Sequence, residues 1–148
     1  MLSPARSLFA STLRLAAGLL FVGTGGFKLL GTLAPGLPAG AAGFAVLLEH
    51  VGVPFPLLAA YAVCQLELGG GLLLCLKVQV RAIACLLAID MACALGLVGL
   101  PALLGHPVQL GSLAVGQEPW RVPLELGLLA AMGYLGWHET GRFAREAR

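Results

Sequence analysis

Charge is what this sequence has least of. Lys, Arg, Asp and Glu supply 11% of its 148 residues, against about 25% in an average soluble domain, too few to coat a water-facing globule. The net charge of +2, carried by scattered basic residues, gives no nucleic-acid footprint. The four cysteines, Cys64, Cys75, Cys85 and Cys93, form no C-x-x-C pair and supply neither a disulfide framework nor a zinc spacing, so no metal site is expected. No Ser, His and acid set suggests a hydrolytic triad. Gly23, Gly25 and Gly26 before Lys28 lack the preceding strand and the spacing of a phosphate loop, and no recognisable motif binds haem, flavin or an iron cluster. A soluble enzyme is excluded, and unaided catalysis is not expected.

What the chain has is long apolar runs, at 59% apolar residues overall. A membrane-spanning helix needs roughly 20 of them, since each residue advances about 1.5 Å through a hydrocarbon layer about 30 Å thick. Runs at 8–30, 57–76, 83–100 and 122–137 meet or approach that length. They predict one all-α membrane domain over residues 1–148, an integral membrane four-helix bundle with the lipid bilayer as its main partner. The basic start at Arg6 resembles a signal peptide, but the run after it exceeds the usual apolar segment of about 7 to 15 residues.

Between the first two spans, Pro35, Pro38, Pro54 and Pro56 bracket an apolar middle, Ala39 to Leu48, closed by Glu49 and His50. Too short to span, it predicts a surface or re-entrant helix, either a lid over the bundle or a helix on its surface. Gly69, Gly70 and Gly71 predict a close packing face for another helix. Pro101, Gly105 and Pro107 end the third span, and a loop is expected from there to Arg121. Trp120, Tyr134 and Trp137 sit where interfacial anchors belong, and His50, His106 and His138 lie near span ends. With four spans, Arg6, Lys77, Arg81, Arg142, Arg145 and Arg148 share one side, which predicts both termini on the cytoplasmic face of an inner membrane.

Glu67 and Asp90 stand out. A charge at mid-membrane costs at least about 2.5 to 3.5 kcal/mol on insertion scales, and both acids fall roughly 14 to 15 Å deep. The expected pairings are Arg14 with Asp90 or Glu67, and Lys28 with Glu125. On one reading these pairs only fix helix neighbours. On the other, Arg14, Lys28, Glu67, Asp90 and Glu125 line a polar cavity, binding a headgroup or relaying protons. Cys64 and Cys93, one turn outward from Glu67 and Asp90, share a depth. They are candidates for a redox thiol pair, or else small buried hydrophobes.

The pattern resembles the DoxX family of small four-helix membrane proteins. The first helix carries Arg14, Gly18, Phe21, Gly23, Gly26 and Lys28. The second carries Leu66-Glu67-Leu68-Gly69-Gly70-Gly71 and then Arg81, and the third Asp90-Met91-Ala92. Gly52-Val53-Pro54-Phe55-Pro56 and, weakly, Glu125-Leu126 extend the likeness. Extra cysteines and Asp90, where apolar residues are often found, depart from it and leave open whether this chain shares its relatives' ligand. The resemblance implies a membrane location and redox roles, since some members resemble subunits of thiosulfate to quinone oxidoreductases and others associate with oxidative-stress defence. It suggests a non-catalytic subunit that binds a quinone or similar lipophilic ligand, with a membrane redox enzyme or a homo-oligomer as partner. Eukaryotic relatives look like assembly factors, so the alternative is a structural or assembly factor with no ligand chemistry of its own.

Overall fold

The first apolar run becomes helix α1, Pro4–Leu30, whose 27 residues reach about 40 Å at helical rise. It begins four residues before the predicted span, at a proline whose preset φ suits a first helical turn. The computed structural model describes the backbone of residues 4–33, 36–110, 113–115, 118 and 120–146, and the side chains of 8–33, 36–110, 114–115, 118 and 120–137. The connection after α1 folds back on its end, where the Gly40 amide bonds the Gly31 carbonyl at 2.6 Å. Gly40 sits at φ +70°, and a Cβ there would collide with the Leu29 carbonyl. The predicted short helix follows as α2, Ala41–His50.

Helix α3, Pro56–Cys75, starts with a proline in its first turn, and α4, Val80–Ala94, follows after a tight turn. In that turn the Val78 amide bonds the Leu73 carbonyl and the Lys77 amide bonds the Leu74 carbonyl, with Lys77 left-handed at φ 61°. This is the Schellman arrangement that ends many helices, built here on lysine instead of glycine. Gly52 after α2 and Gly105 after the third span close their helices by the same pair of bonds.

The third span is longer and less regular than predicted. From α4 the chain widens into one π-helical turn, Leu95–Gly99, and closes as the short α5, Leu100–Leu103. The stretch expected to be loop holds α5 and a small antiparallel hairpin, β1 Val108–Leu110 and β2 Leu113–Val115, with Val108 opposite Val115. Helix α6 then runs over Arg121–Glu146, past the predicted end at Trp137. Among the described residues, three stretches are long and apolar enough to cross a membrane: Leu8–Leu30, Pro56–Cys75 and Val80–Leu103.

The helices pack as two pairs, α1 with α3 and α4 with α6, joined chiefly through α3 and α4. The first seam is made by glycine. Gly18 and Gly25 lie seven residues apart, so both face α3; a Cβ on Gly25 would stand 2.6 Å from the Leu68 nitrogen, and one on Gly71 2.6 Å from the Gly18 carbonyl. The three predicted packing glycines divide their work. Gly71 admits α1, Gly70 receives Ile83 and Leu87 of α4, and Gly69 faces open space.

Two apolar cores result. One joins Ala17 and Phe21 of α1, Leu74 of α3, Ala84 and Leu87 of α4, and Met132 and Leu135 of α6. The other joins α2 to Ala60 and Cys64 of α3, Val98 of the π turn, and Leu110 and Val115 of the hairpin. Glu67 and Asp90 fall between the two cores along α3 and α4.

Candidate functional site

The close seam between α1 and α3 determines which charges meet. Lys28 stands three residues beyond Gly25, on the same face of α1, and its Nζ donates to Glu67 Oε1 at 2.6 Å. Glu67 is 1% exposed and Lys28 22%, so the pair is anchored in the core at the acid end. The Lys28 ammonium also sits 5.0 Å from the centre of the Phe44 ring of α2, within reach of a cation–π attraction.

The pairings expected from the sequence are therefore corrected. Lys28 takes Glu67, not Glu125. Glu125 is held by Arg121 one turn earlier in α6, Nε to Oε1 at 2.9 Å, because an i,i+4 partner in the same helix is always within reach. Arg14 reaches neither acid. Its Nη1 donates to the Leu74 carbonyl and, at 2.8 Å, to the Cys75 carbonyl, where the last turn of α3 has acceptors with no partner in its own helix. Arg14 thus completes the end of α3 and ties it to α1.

Asp90 is close enough to Glu67 and Lys28 to interact with both, and it lines a cavity of about 300 Å³. This lies at the small end of the range for small-molecule pockets, about 300–1,000 Å³. Its walls are apolar and come from four elements, among them Phe44 and Leu47 of α2, Val63 of α3, and Leu97 and Val98 of the π turn. The polar lining is Lys28, Asp90 and Arg121, with the Cys93 thiol beside them. Helix α2, read from the sequence as a lid or a surface helix, forms one wall.

The remaining candidates divide. Cys64 is buried, Cys93 is exposed on the cavity wall, and both are free thiols. Glu125 adjoins the cavity through its partner Arg121, and its Oε2 packs where a Cβ on Gly99 would be, 2.7 Å away. The missing side chain at Gly99 thus leaves room for the carboxylate. Arg121 and Phe44 are the site residues that sequence reasoning did not single out; the Arg121 to Glu125 spacing was the available signal for the first. His50 bonds the Val46 carbonyl of its own helix at 3.1 Å, and the His138 side chain lies outside the described residues.

Among the described residues, the polar layer therefore holds two cations, Lys28 and Arg121, and three carboxyl groups, Glu67, Asp90 and Glu125. One carboxyl has no cation of its own and must be met by a proton, a cation or a hydrogen-bond donor. Such an arrangement can hold the polar head of a lipophilic molecule or pass a proton along the layer.

The sequence profile of the DoxX family matches residues 9–100, a stretch that holds Arg14, Lys28, Glu67, Asp90 and most of the cavity wall. No curated protein and no solved structure matches the chain. The family match covers more than half of the sequence, and the chain belongs to the DoxX family.

Proposed function

We propose that this protein is an inner-membrane subunit, both termini cytoplasmic, that binds a quinone or similar lipophilic molecule and serves a redox enzyme as a non-catalytic partner. The observation that carries this reading is the cavity: apolar walls from α2, α3 and the π turn, with Lys28, Asp90 and Arg121 together in its lining. That combination suits a ligand with an apolar body and a small polar head. Lys28 and Arg121 supply donors for a carbonyl oxygen, and Asp90 supplies an acceptor and a route for a proton. Cys93, on the cavity wall, is the thiol of the Cys64 and Cys93 candidates that a ligand would meet.

The alternative, a structural or assembly factor, draws on the Lys28–Glu67 pair, which locks α1 to α3. It gives the cavity no role. The deciding experiment is binding of a short-chain quinone analogue to the protein in lipid nanodiscs, comparing wild type with Asp90→Asn and with Ala94→Phe, which fills the cavity. Saturable binding that persists in the first variant, because the lost carboxyl gives no donor to a quinone carbonyl, and disappears in the second is the expected result. Folded wild-type protein that binds no analogue would overturn the reading and leave the assembly role.

A further inference from the structure

Gln65 stands in the middle of α3, the tenth of the 20 residues of Pro56–Cys75, which puts it roughly 14 Å along the helix from its start. Two residues on, Glu67 is enclosed in the core. Two residues turn a helix by about 200°, so the Gln65 side chain points the opposite way and is exposed on the outer surface of the bundle. Its amide makes no hydrogen bond among the described residues. On a water-facing helix that would be ordinary. On a helix long and apolar enough to cross a membrane, the same surface is covered by lipid tails, which offer neither donor nor acceptor, and an unmet amide there is costly. From mid-membrane the side chain is too short to reach the headgroups.

The surface around Gln65 is open to another helix. Leu58, Tyr61 and Leu72 are exposed on the same face, at spacings of four or seven residues from Gln65. Gly69 lies one turn on, and a Cβ there would meet nothing within 4 Å. Its neighbours Gly70 and Gly71 are used by α4 and α1, whereas Gly69 serves no close approach within the chain. Helices in a membrane associate where a small residue lets backbones come close and a polar side chain bonds across the seam. Gln65 and Gly69 supply both.

The amide also indicates the partner. Glutamine carries an N–H donor and a carbonyl acceptor, so one Gln65 satisfies another reciprocally, each donating to the other's oxygen. Copies of this chain inserted in the same sense carry Gln65 at the same depth, and a twofold axis along the membrane normal sets equivalent residues against each other. We propose that this face of α3 pairs with α3 of a second copy of the chain, through reciprocal Gln65 hydrogen bonds at a crossing made close by Gly69. The interface lies on the side of α3 turned away from the Lys28–Glu67 pair, so it is independent of what the cavity binds.

The test is Förster transfer between full-length copies carrying donor and acceptor monomeric fluorescent proteins fused after Arg148, in liposomes over a series of protein to lipid ratios. Wild type should transfer energy above the level of random proximity. Gln65→Leu should need about tenfold higher protein density for half-maximal transfer, the size of a pair of interhelical hydrogen bonds in a membrane. Gly69→Phe blocks the close approach without touching the core and should weaken transfer at least as much. Gly133→Phe, at another open glycine on α6, should leave it unchanged. Circular dichroism and thermal unfolding of each variant should match wild type, and if one of the two α3 variants fails to fold, the other carries the comparison. Wild type that stays at random proximity at every density overturns the proposal. Transfer that survives both α3 substitutions, or that Gly133→Phe weakens equally, overturns the assignment to this face.

Discussion

Lys28 and Glu67 illustrate how much a single buried contact can hold in this protein. Glu67 is almost wholly enclosed and its partner only partly so, so removing either one strands a charge among apolar side chains. Breaking a buried pair from one side commonly costs about 3 to 5 kcal/mol, whereas replacing both members with apolar residues is often close to neutral. Lys28→Met should therefore destabilise by about that amount, and Lys28→Met/Glu67→Leu should recover most of it, measured by reversible unfolding in mixed detergent micelles. Additive losses in the double variant would mean that the pair is not the coupled unit its geometry suggests. Arg14 differs in kind: it caps the carbonyls of Leu74 and Cys75, a role that depends on where α3 ends. The sequence marked Arg14, Lys28, Glu67, Asp90 and Glu125 as unusual because charge inside an apolar run is itself the signal. Their partners depend on the rotation and closeness of neighbouring helices, which spacing along one chain does not encode.

Helix α1 tests the close seam within one element. Gly25 has the Leu68 nitrogen and Glu67 Cβ within 2.9 Å of where its Cβ would stand, while Gly23 has nothing within 4 Å. Gly23→Ala should stabilise the protein by up to about 1 kcal/mol through helix propensity. Gly25→Ala should destabilise it by about 1 to 3 kcal/mol by forcing α1 from α3, read by the same unfolding measurement. Like effects from both substitutions would argue against the seam. At this scale, 8–30, 57–76 and 83–100 were legible as helices because each is an apolar run between turn signals, interrupted by no more than two charges. The π turn was not, since Leu95-Gly-Leu-Val-Gly99 has nothing in its composition to separate it from ordinary helix. The hairpin was hidden for another reason: each strand is three residues long, too short for alternation to register.

For the whole molecule, the two helix pairs and two cores make one half of the bundle filled and the other half built around a cavity. Fold class and family followed from composition and motif order, whereas the cavity did not, because its lining is gathered from residues 28 to 121, distant in sequence. If α6 completes a fourth span, Lys77 and the two ends of the chain lie on one side. Single cysteines placed at Ser3, Gln79 and Ala147 in a cysteine-free background should all react with an impermeant maleimide only in inside-out vesicles. A terminus labelled from the opposite side would require α6 to lie on the membrane instead of crossing it.

The Lys28–Glu67 bond joins residues 39 apart in sequence, and this separation has a consequence for biosynthesis. At about 5 to 20 residues per second, Lys28 emerges roughly 2 to 8 seconds before Glu67 exists. During that interval Lys28, two residues from the end of the Leu8–Leu30 span, turns its ammonium to the membrane surface along its own flexible stem. What waits for α3 is the seam: only when Glu67 packs against α1 is the ammonium drawn inward to its carboxylate. A nascent chain halted before Glu67 should already resist extraction by alkali, with α1 integrated and Lys28 at the surface.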